Sequence, residues 1–220
     1  MAEHIHKPER TCTVAEAEHI LEVAGRLDKA ALHPEDAMYA LRRRTELEVL
    51  IGTGLRSEEL LNLQLSDIEF PSEANDGACY LHLSVTKGSR PRTVPVPPRV
   101  QEWLARWVEN SAKWRAANGV TADYLFHQTD KAVFGKYLDK PQTTRNLRAM
   151  IHAVVTRALG EEATQRISAH TFRRLYITGL IRERVPIMYV QKIAGHKNPA
   201  TTAIYVIPEK RDLYRAVVGE

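Results

Sequence analysis

His170-Thr171-Phe172-Arg173-Arg174 sets a histidine and an arginine three residues apart, ahead of an apolar run at helical spacing. Residues three apart share one face of a helix. His170 and Arg173 therefore read either as a solvated face or as two hydrogen-bonding groups aimed at one anion, a phosphate foremost. Arg56 raises similar alternatives. It stands in Gly52-Thr53-Gly54-Leu55-Arg56-Ser57, between a glycine turn and a helix start. A helix N-terminus favours anions, and a guanidinium there adds a two-pronged donor; the plainer reading pairs Arg56 with Glu58 or Glu59. Lys87, beside Gly88 at a hairpin tip, is either a solvated turn lysine or a group able to swing toward a backbone oxygen. His196 follows Gly195 in a turn, a setting more usual for a structural hydrogen-bonder than for a catalyst. Tyr205 ends a short helix and by itself reads as core or interface.

Other chemistries find no matching residues. The nine histidines lack companion cysteines or a His-Glu-x-x-His face, so no metal is expected. No glycine-rich loop ends in Lys-Ser/Thr and no Gly-x-Ser-x-Gly elbow is present, so neither ATP use nor a serine nucleophile of that type is indicated. Cys12 and Cys79 are far apart, which argues against a disulfide framework and for a reducing compartment. No apolar run approaches the ~18–20 residues that span a bilayer, and the N-terminus lacks a signal-like segment. The expectation is a cytoplasmic protein with no membrane partner.

The 220 residues suggest one large domain or two small ones. Net charge is only +4, with a pI of about 9.1, but the basic residues are segregated. Lys87, Arg90, Arg92, Arg99 and Arg106 stand against the single acid Glu102. Between residues 140 and 174, Lys140, Arg145, Arg148, Arg157, Arg166, Arg173 and Arg174 stand against Glu161 and Glu162. Two basic blocks of this kind suit a polyanion.

These side chains need elements to hold them. Thr13-Val14-Ala15-Glu16 fits a capping box, with Ile20, Ala24 and Leu27 following at helical spacing. His33-Pro34-Glu35-Asp36 breaks that helix and begins another, on which Arg42, Arg43 and Arg44 read as a solvated face and which Gly52 and Gly54 end. A short helix follows Arg56. The period then changes: Leu81, Leu83 and Val85 alternate with His82 and Ser84, which predicts a half-buried strand. Val94 and Val96 mark a partner strand, its prolines suggesting a sheet edge, with the basic turn Lys87–Arg90 between them. Helices return, one striped by Val100, Leu104 and Trp107 and one by Leu147, Met150, Ile151, Val154 and Ala158 up to Gly160. Asp123–Phe126 reads as a short buried segment. The helix bearing His170 comes next, then one from Pro186 to Gly195 and one capped by Asn198 with Pro199 at its first position. The expected fold class is mainly α with a small antiparallel β-sheet (α+β).

Taken together, Thr53-Gly54-Leu55-Arg56-Ser57-Glu58-Glu59-Leu60, Thr86-Lys87-Gly88-Ser89-Arg90-Pro91-Arg92, His170-Thr171-Phe172-Arg173-Arg174 and Ala194-Gly195-His196, with Tyr205 nine residues beyond that histidine, occur in the order of one known constellation. The chain resembles the catalytic domain of the tyrosine recombinase (phage integrase) family over roughly residues 12–215. Each motif alone is weak; the combination of six polar positions is specific. Arg174 stands where many members have histidine, Ala194 where leucine is commoner, and Val206 where histidine is frequent. None of these departures touches the six positions.

The resemblance implies Arg56, Lys87, His170, Arg173, His196 and Tyr205 as the active site. Tyr205 would be the nucleophile, Arg56 and Arg173 the phosphate clamp, His170 the general base, Lys87 the general acid, and His196 a hydrogen-bond donor to the phosphate. It implies double-stranded DNA as partner, a tetramer on paired sites, and no cofactor. Arg90, Arg92, Arg145, Arg148 and Arg174 are the expected DNA contacts. Residues 1–11 are expected to be a flexible lead-in and 12–220 the catalytic domain, without the helical DNA-binding domain that usually precedes it. Such a chain is either an excised domain or a small inversion-type member. A topoisomerase-like nicking activity and a silent DNA-binding regulator are the competing readings; retention of all six polar residues argues against the second.

Overall fold

Thr13 opens the first helix as its spacing predicts. Its hydroxyl accepts from the Glu16 N–H at 3.2 Å, and the Glu16 carboxylate accepts from the Thr13 N–H at 2.8 Å. This is a computed structural model, and it describes residues 11–26, 34–84, 91–127, 140–196 and 198. Helix α1 (Val14–Gly25) buries Ala17, Ile20, Leu21, Val23 and Ala24 against α2 (Pro34–Thr53). The short α3 (Ser57–Leu61) follows, then a three-stranded antiparallel sheet in the order β1-β2-β3. These strands are β1 (Ile68–Glu69), β2 (Tyr80–Leu83) and β3 (Arg92–Pro95). Four helices complete the described chain: α4 (Pro98–Ala117), α5 (Thr144–Leu159), α6 (Ala169–Arg182) and α7 (Ile187–Ala194). The expected class, mainly α with a small antiparallel sheet, is the one observed.

Period-two alternation sets the sheet as read. Leu81 pairs with Val94 and Leu83 with Arg92, and all four face inward. β3 lies at an edge, where Pro95 lacks no ladder partner it needs. Strand β1 escaped the sequence reading because two residues are too few to show a period. The turn bearing Lys87 and Arg90 lies outside the described residues.

One core holds most of the molecule. Trp107, Phe126, Leu104 and Leu47 are fully enclosed; the Trp107 and Phe126 rings stack at 5.8 Å, and the indole N–H donates to Leu125 O at 2.9 Å. The buried Asp123–Phe126 segment is thereby accounted for at Leu125 and Phe126. A second, smaller cluster of Ile177, Val190 and Ala194 joins α6 to α7. Helix α6 contributes to both clusters, with Phe172 in the main core.

Two expectations need correction. Arg42 and Arg44 are buried, not solvated. Arg42 Nε donates to Glu46 at 2.8 Å and Arg44 to Glu48 at 2.6 Å. The pairing is the i,i+4 spacing of Arg42-Arg43-Arg44-Thr45-Glu46-Leu47-Glu48, which supplies each guanidinium with a carboxylate that can go inside with it. Gly52, for its part, does not end α2. It lies within the last turn, where a Cβ would collide with Val100 Cγ2, so it is small to admit α4. Gly54, at φ +63°, ends the helix.

Two arginines of the basic blocks are engaged by carboxylates of this chain. Arg99 bonds Glu18 through two nitrogens at 2.8 Å and reaches Glu48 at 3.2 Å. Arg166 pairs with Glu16. These arginines tie α1, α2, α4 and the start of α6 together.

Candidate active site

Arg56 is placed by two constraints. Gly54 turns the chain out of α2 in the left-handed region, where Tyr176 Cδ1 lies 2.5 Å from the position of an added Cβ. Arg56 then stands as the N-cap residue of α3. The plain pairing read from sequence is present: Glu59 accepts from the Arg56 N–H and from its Nη1, both at 2.8 Å. The Arg56 side chain nevertheless remains 38% exposed, while that of Glu59 is buried.

Glu59 is shared. Arg92, from β3, gives it a bidentate contact at 2.7 and 2.8 Å. Burial alone would raise the Glu59 carboxyl, but hydrogen bonds from Arg92 and Arg56 together with the Arg92 charge outweigh it, and its pKa falls to about 2. Arg92, expected among the DNA contacts, is buried with its donors turned inward. The alternation that puts Val94 and Val96 inside puts Arg92 inside too, and this is the signal that could have found it.

Arg173 occupies the buried face of α6, one turn in from Ser168, its N-cap. Nη1 donates to Gly54 O at 2.6 Å and Nη2 donates to Ala194 O. Arg92 Nε donates to Ile193 O at 2.8 Å, and Arg56 Nη2 reaches Gly195 O at 3.3 Å. Three arginines from three separate stretches thus meet the last carbonyls of α7, one each. The C-terminal end of a helix carries partial negative charge and unsatisfied carbonyls, which favours this arrangement.

Gly195 closes α7 at φ +62°, and its missing Cβ leaves room for the Arg92 guanidinium, 3.0 Å from where that atom would sit. His196 follows, half-buried, its N–H donating to Gln191 O at 3.2 Å. Burial first, then the charges of Arg173, Arg56 and Arg92, push its pKa from 6.5 down to about 4. It is a neutral imidazole at physiological pH, able to donate from one nitrogen. Because the unfolded chain takes up that proton at higher pH, stability present above about 6.5 is lost as pH falls toward 4. In an NMR titration the His196 ring is expected to protonate near pH 4 in the free protein, and at higher pH once an oxyanion sits beside it. Titration near 6.5 in the free protein would contradict this environment.

The structure therefore brings Arg56, Arg173 and His196 together, with Glu59 and Arg92 beneath them. His170 lies exposed in the first turn of α6, one turn before Arg173; Arg174 is exposed on the same helix, and Arg145 and Arg148 are exposed on α5. Lys87, Arg90 and Tyr205 lie outside the described residues. A cleft of about 280 Å³ opens beside His196, lined by Pro91, Arg92, Met188, Gln191, Lys192 and Gly195. Among the described residues no group of three or more His, Cys, Asp or Glu is placed to hold a metal ion, and no helix is long and apolar enough to cross a membrane.

The chain is 30% identical over 179 residues to a tyrosine recombinase of Thermosipho africanus, covering 80% of this chain and 53% of that protein. It is 29% identical over 183 residues to the tyrosine recombinase XerC of Pediococcus pentosaceus, covering 83% and 55%. The chain thus spans about half the length of the curated relatives it matches. Among solved structures, the XerH site-specific recombinase bound to its difH substrate superposes with a TM-score of 0.73 at 23% identity, over 96% of this chain and 54% of that one. The XerA recombinase superposes with a TM-score of 0.66 at 22% identity, over 97% and 65%. These likenesses establish the fold. The model of the phage integrase family matches residues 13–211, and the chain belongs to that family.

Proposed function

We propose that the chain is the catalytic part of a site-specific DNA recombinase, cleaving and rejoining double-stranded DNA through a covalent 3′-phosphotyrosine. The observation that carries this reading is the meeting of Arg56, Arg173 and a neutral His196 at the end of α7. They form a cationic site with the partly exposed Arg56 side chain at its mouth, suited to a phosphodiester. A guanidinium has five N–H donors, so Arg173 can serve a non-bridging oxygen as well as backbone carbonyls. Arg56 and Arg173 hold the two non-bridging oxygens and offset the charge that builds on five-coordinate phosphorus. Lysine does not supply that planar fork.

The Tyr205 oxygen attacks phosphorus as its proton passes to His170. The bond from phosphorus to the 5′-oxygen breaks, and Lys87 protonates that leaving oxygen. His196 donates a hydrogen bond to the phosphate. The phosphotyrosine keeps the ester bond, so religation by a 5′-hydroxyl calls for neither ATP nor a metal ion. Arg145, Arg148 and Arg174, exposed on α5 and α6, and Arg90 of the basic turn serve as backbone contacts. Two sites held in a tetramer then exchange strands. The cytoplasm, where substrate DNA and reduced thiols coexist, is the compartment that suits this chemistry.

The test is a library of suicide duplexes with randomised cores, each nicked next to the cleavage point so that religation fails. A covalent protein–DNA adduct on a denaturing gel, mapped to Tyr205 by peptide mass, is the expected result. Absence of any adduct across the library overturns the reading in favour of a silent regulator. Recombinant junctions in a two-site assay mark strand exchange, whereas relaxation of supercoils alone marks a topoisomerase-like activity.

A further inference from the structure

We propose that Arg92 is a positioning residue for the phosphate site, holding the Glu59 carboxylate so that Arg56 keeps its net charge for the substrate. This rests on the recombinase reading given above. The geometry is specific. Glu59 is buried between two guanidiniums, and Arg92 takes both of its oxygens at 2.7 and 2.8 Å. Arg56 has one side-chain bond to that carboxylate, through Nη1. Two cations share one anion, so the group as a whole keeps one positive charge, and the half-exposed member of it is Arg56. Arg92 itself is buried; its Nε donates to Ile193 O, next to the carbonyls held by Arg173 and Arg56.

Take Arg92 away and Glu59 has a single cation left. Its charge then cancels that of Arg56, and the phosphate meets a neutral pair. A residue that merely fills space would leave the charge balance alone. The two roles differ in the sign of one measurement: removing the carboxylate as well restores the site if Arg92 works by charge, and does not if Arg92 works by packing.

The variants are Arg92→Met, Arg92→Lys, and Arg92→Met combined with Glu59→Gln. Two readouts are used. The first is single-turnover adduct formation on the suicide duplex. The second needs no DNA chemistry: orthovanadate affinity, followed on the His196 ring resonance. Arg92→Met is expected to slow adduct formation by about 10²-fold, the scale of a misplaced catalytic group, and to weaken orthovanadate binding. Arg92→Lys recovers part of both, since it restores charge without the fork. The double variant is expected to exceed Arg92→Met in both readouts. Lowering the pH is also expected to narrow the gap between Arg92→Met and the wild type, as the unshared carboxyl of Glu59 takes up a proton and releases Arg56. A double variant no better than Arg92→Met, or an Arg92→Met protein that binds orthovanadate as the wild type does, overturns the proposal. If the wild type forms no adduct, the recombinase reading fails and the orthovanadate series still decides the role of Arg92. Should Arg92→Met fail to fold, Arg92→Gln and Arg92→Gln/Glu59→Gln remove the same charge while keeping a polar side chain, and their comparison carries the same sign.

Discussion

Arg173→Ala is expected to slow formation of the covalent DNA adduct by about 10³–10⁵-fold, the range reported for an arginine that stabilises a phosphoryl transition state. Non-specific DNA affinity should hold within about threefold, because many phosphate contacts share it and this residue supplies at most one. Arg173 is buried and also serves the backbone, donating to Gly54 O and Ala194 O. Its loss leaves two buried acceptors short of a donor, which costs about 1–3 kcal/mol per group. The variant should therefore melt earlier as well as cleave slower. Arg173→Lys separates these effects. It keeps the charge but cannot bridge two carbonyls and a phosphate in one plane, so it should bind DNA normally and still cleave poorly. Adduct kinetics, anisotropy and a thermal melt on the same preparations check the three parts. Binding and cleavage that fell in parallel would make Arg173 a DNA-anchoring residue and remove it from the transition-state clamp.

Arg42→Met carries the largest expected effect on stability. Arg42 and Glu46 are both inside, with Nε to Oε1 at 2.8 Å, and Arg42 also bonds Gln142 ahead of α5. Burial already raises the Glu46 carboxyl above its ordinary range, against the pull of Arg42. Deleting the cation leaves a buried acid with no partner charge, and breaking such a pair costs about 3–5 kcal/mol. Replacing both residues by apolar ones of similar volume, Arg42→Met with Glu46→Leu, should recover most of that loss. Urea unfolding of the single and double variants measures the difference. A loss below about 1 kcal/mol for the single variant would show that water reaches the pair.

The Arg42–Arg44 run shows where a sequence misleads. A triplet of like charges on a helix normally faces water, and spacing alone does not say which side packs. The partners were visible four residues on, at Glu46 and Glu48, but nothing marked that face as one that packs inward. The site was more legible. Arg56, Arg173 and His196 stand in short motifs whose glycines and helix starts announce sharp turns, and the structure brings those three together. Glu59 and Arg92 were harder to place. Glu59 entered only as a possible partner of Arg56, and Arg92 was counted with the outward basic residues. Their roles depend on a contact between residues 33 apart in sequence, which no local period encodes. The class of the fold followed from the change between period 3.6 and period 2, whereas β1 was too short to register.

The small cluster under α7 sets the order in which the molecule opens. Ile177, Val190 and Ala194 are its only fully buried members among the described residues, backed by partly covered Tyr176, Leu180, Ile181 and Val185. Helix α2 and its neighbours are anchored far more deeply. Local opening is easiest where the fewest apolar contacts must be given up, so among the described residues α7 is expected to open before α2. Its amides should exchange with solvent deuterium well before those of α2. The carbonyls that hold Arg56, Arg92 and Arg173 leave with it, and the cationic site comes apart while the main core is still intact. An assembled cationic site is thereby a less stable state than foldedness, and mild denaturant should extinguish anion binding there well below the midpoint of unfolding.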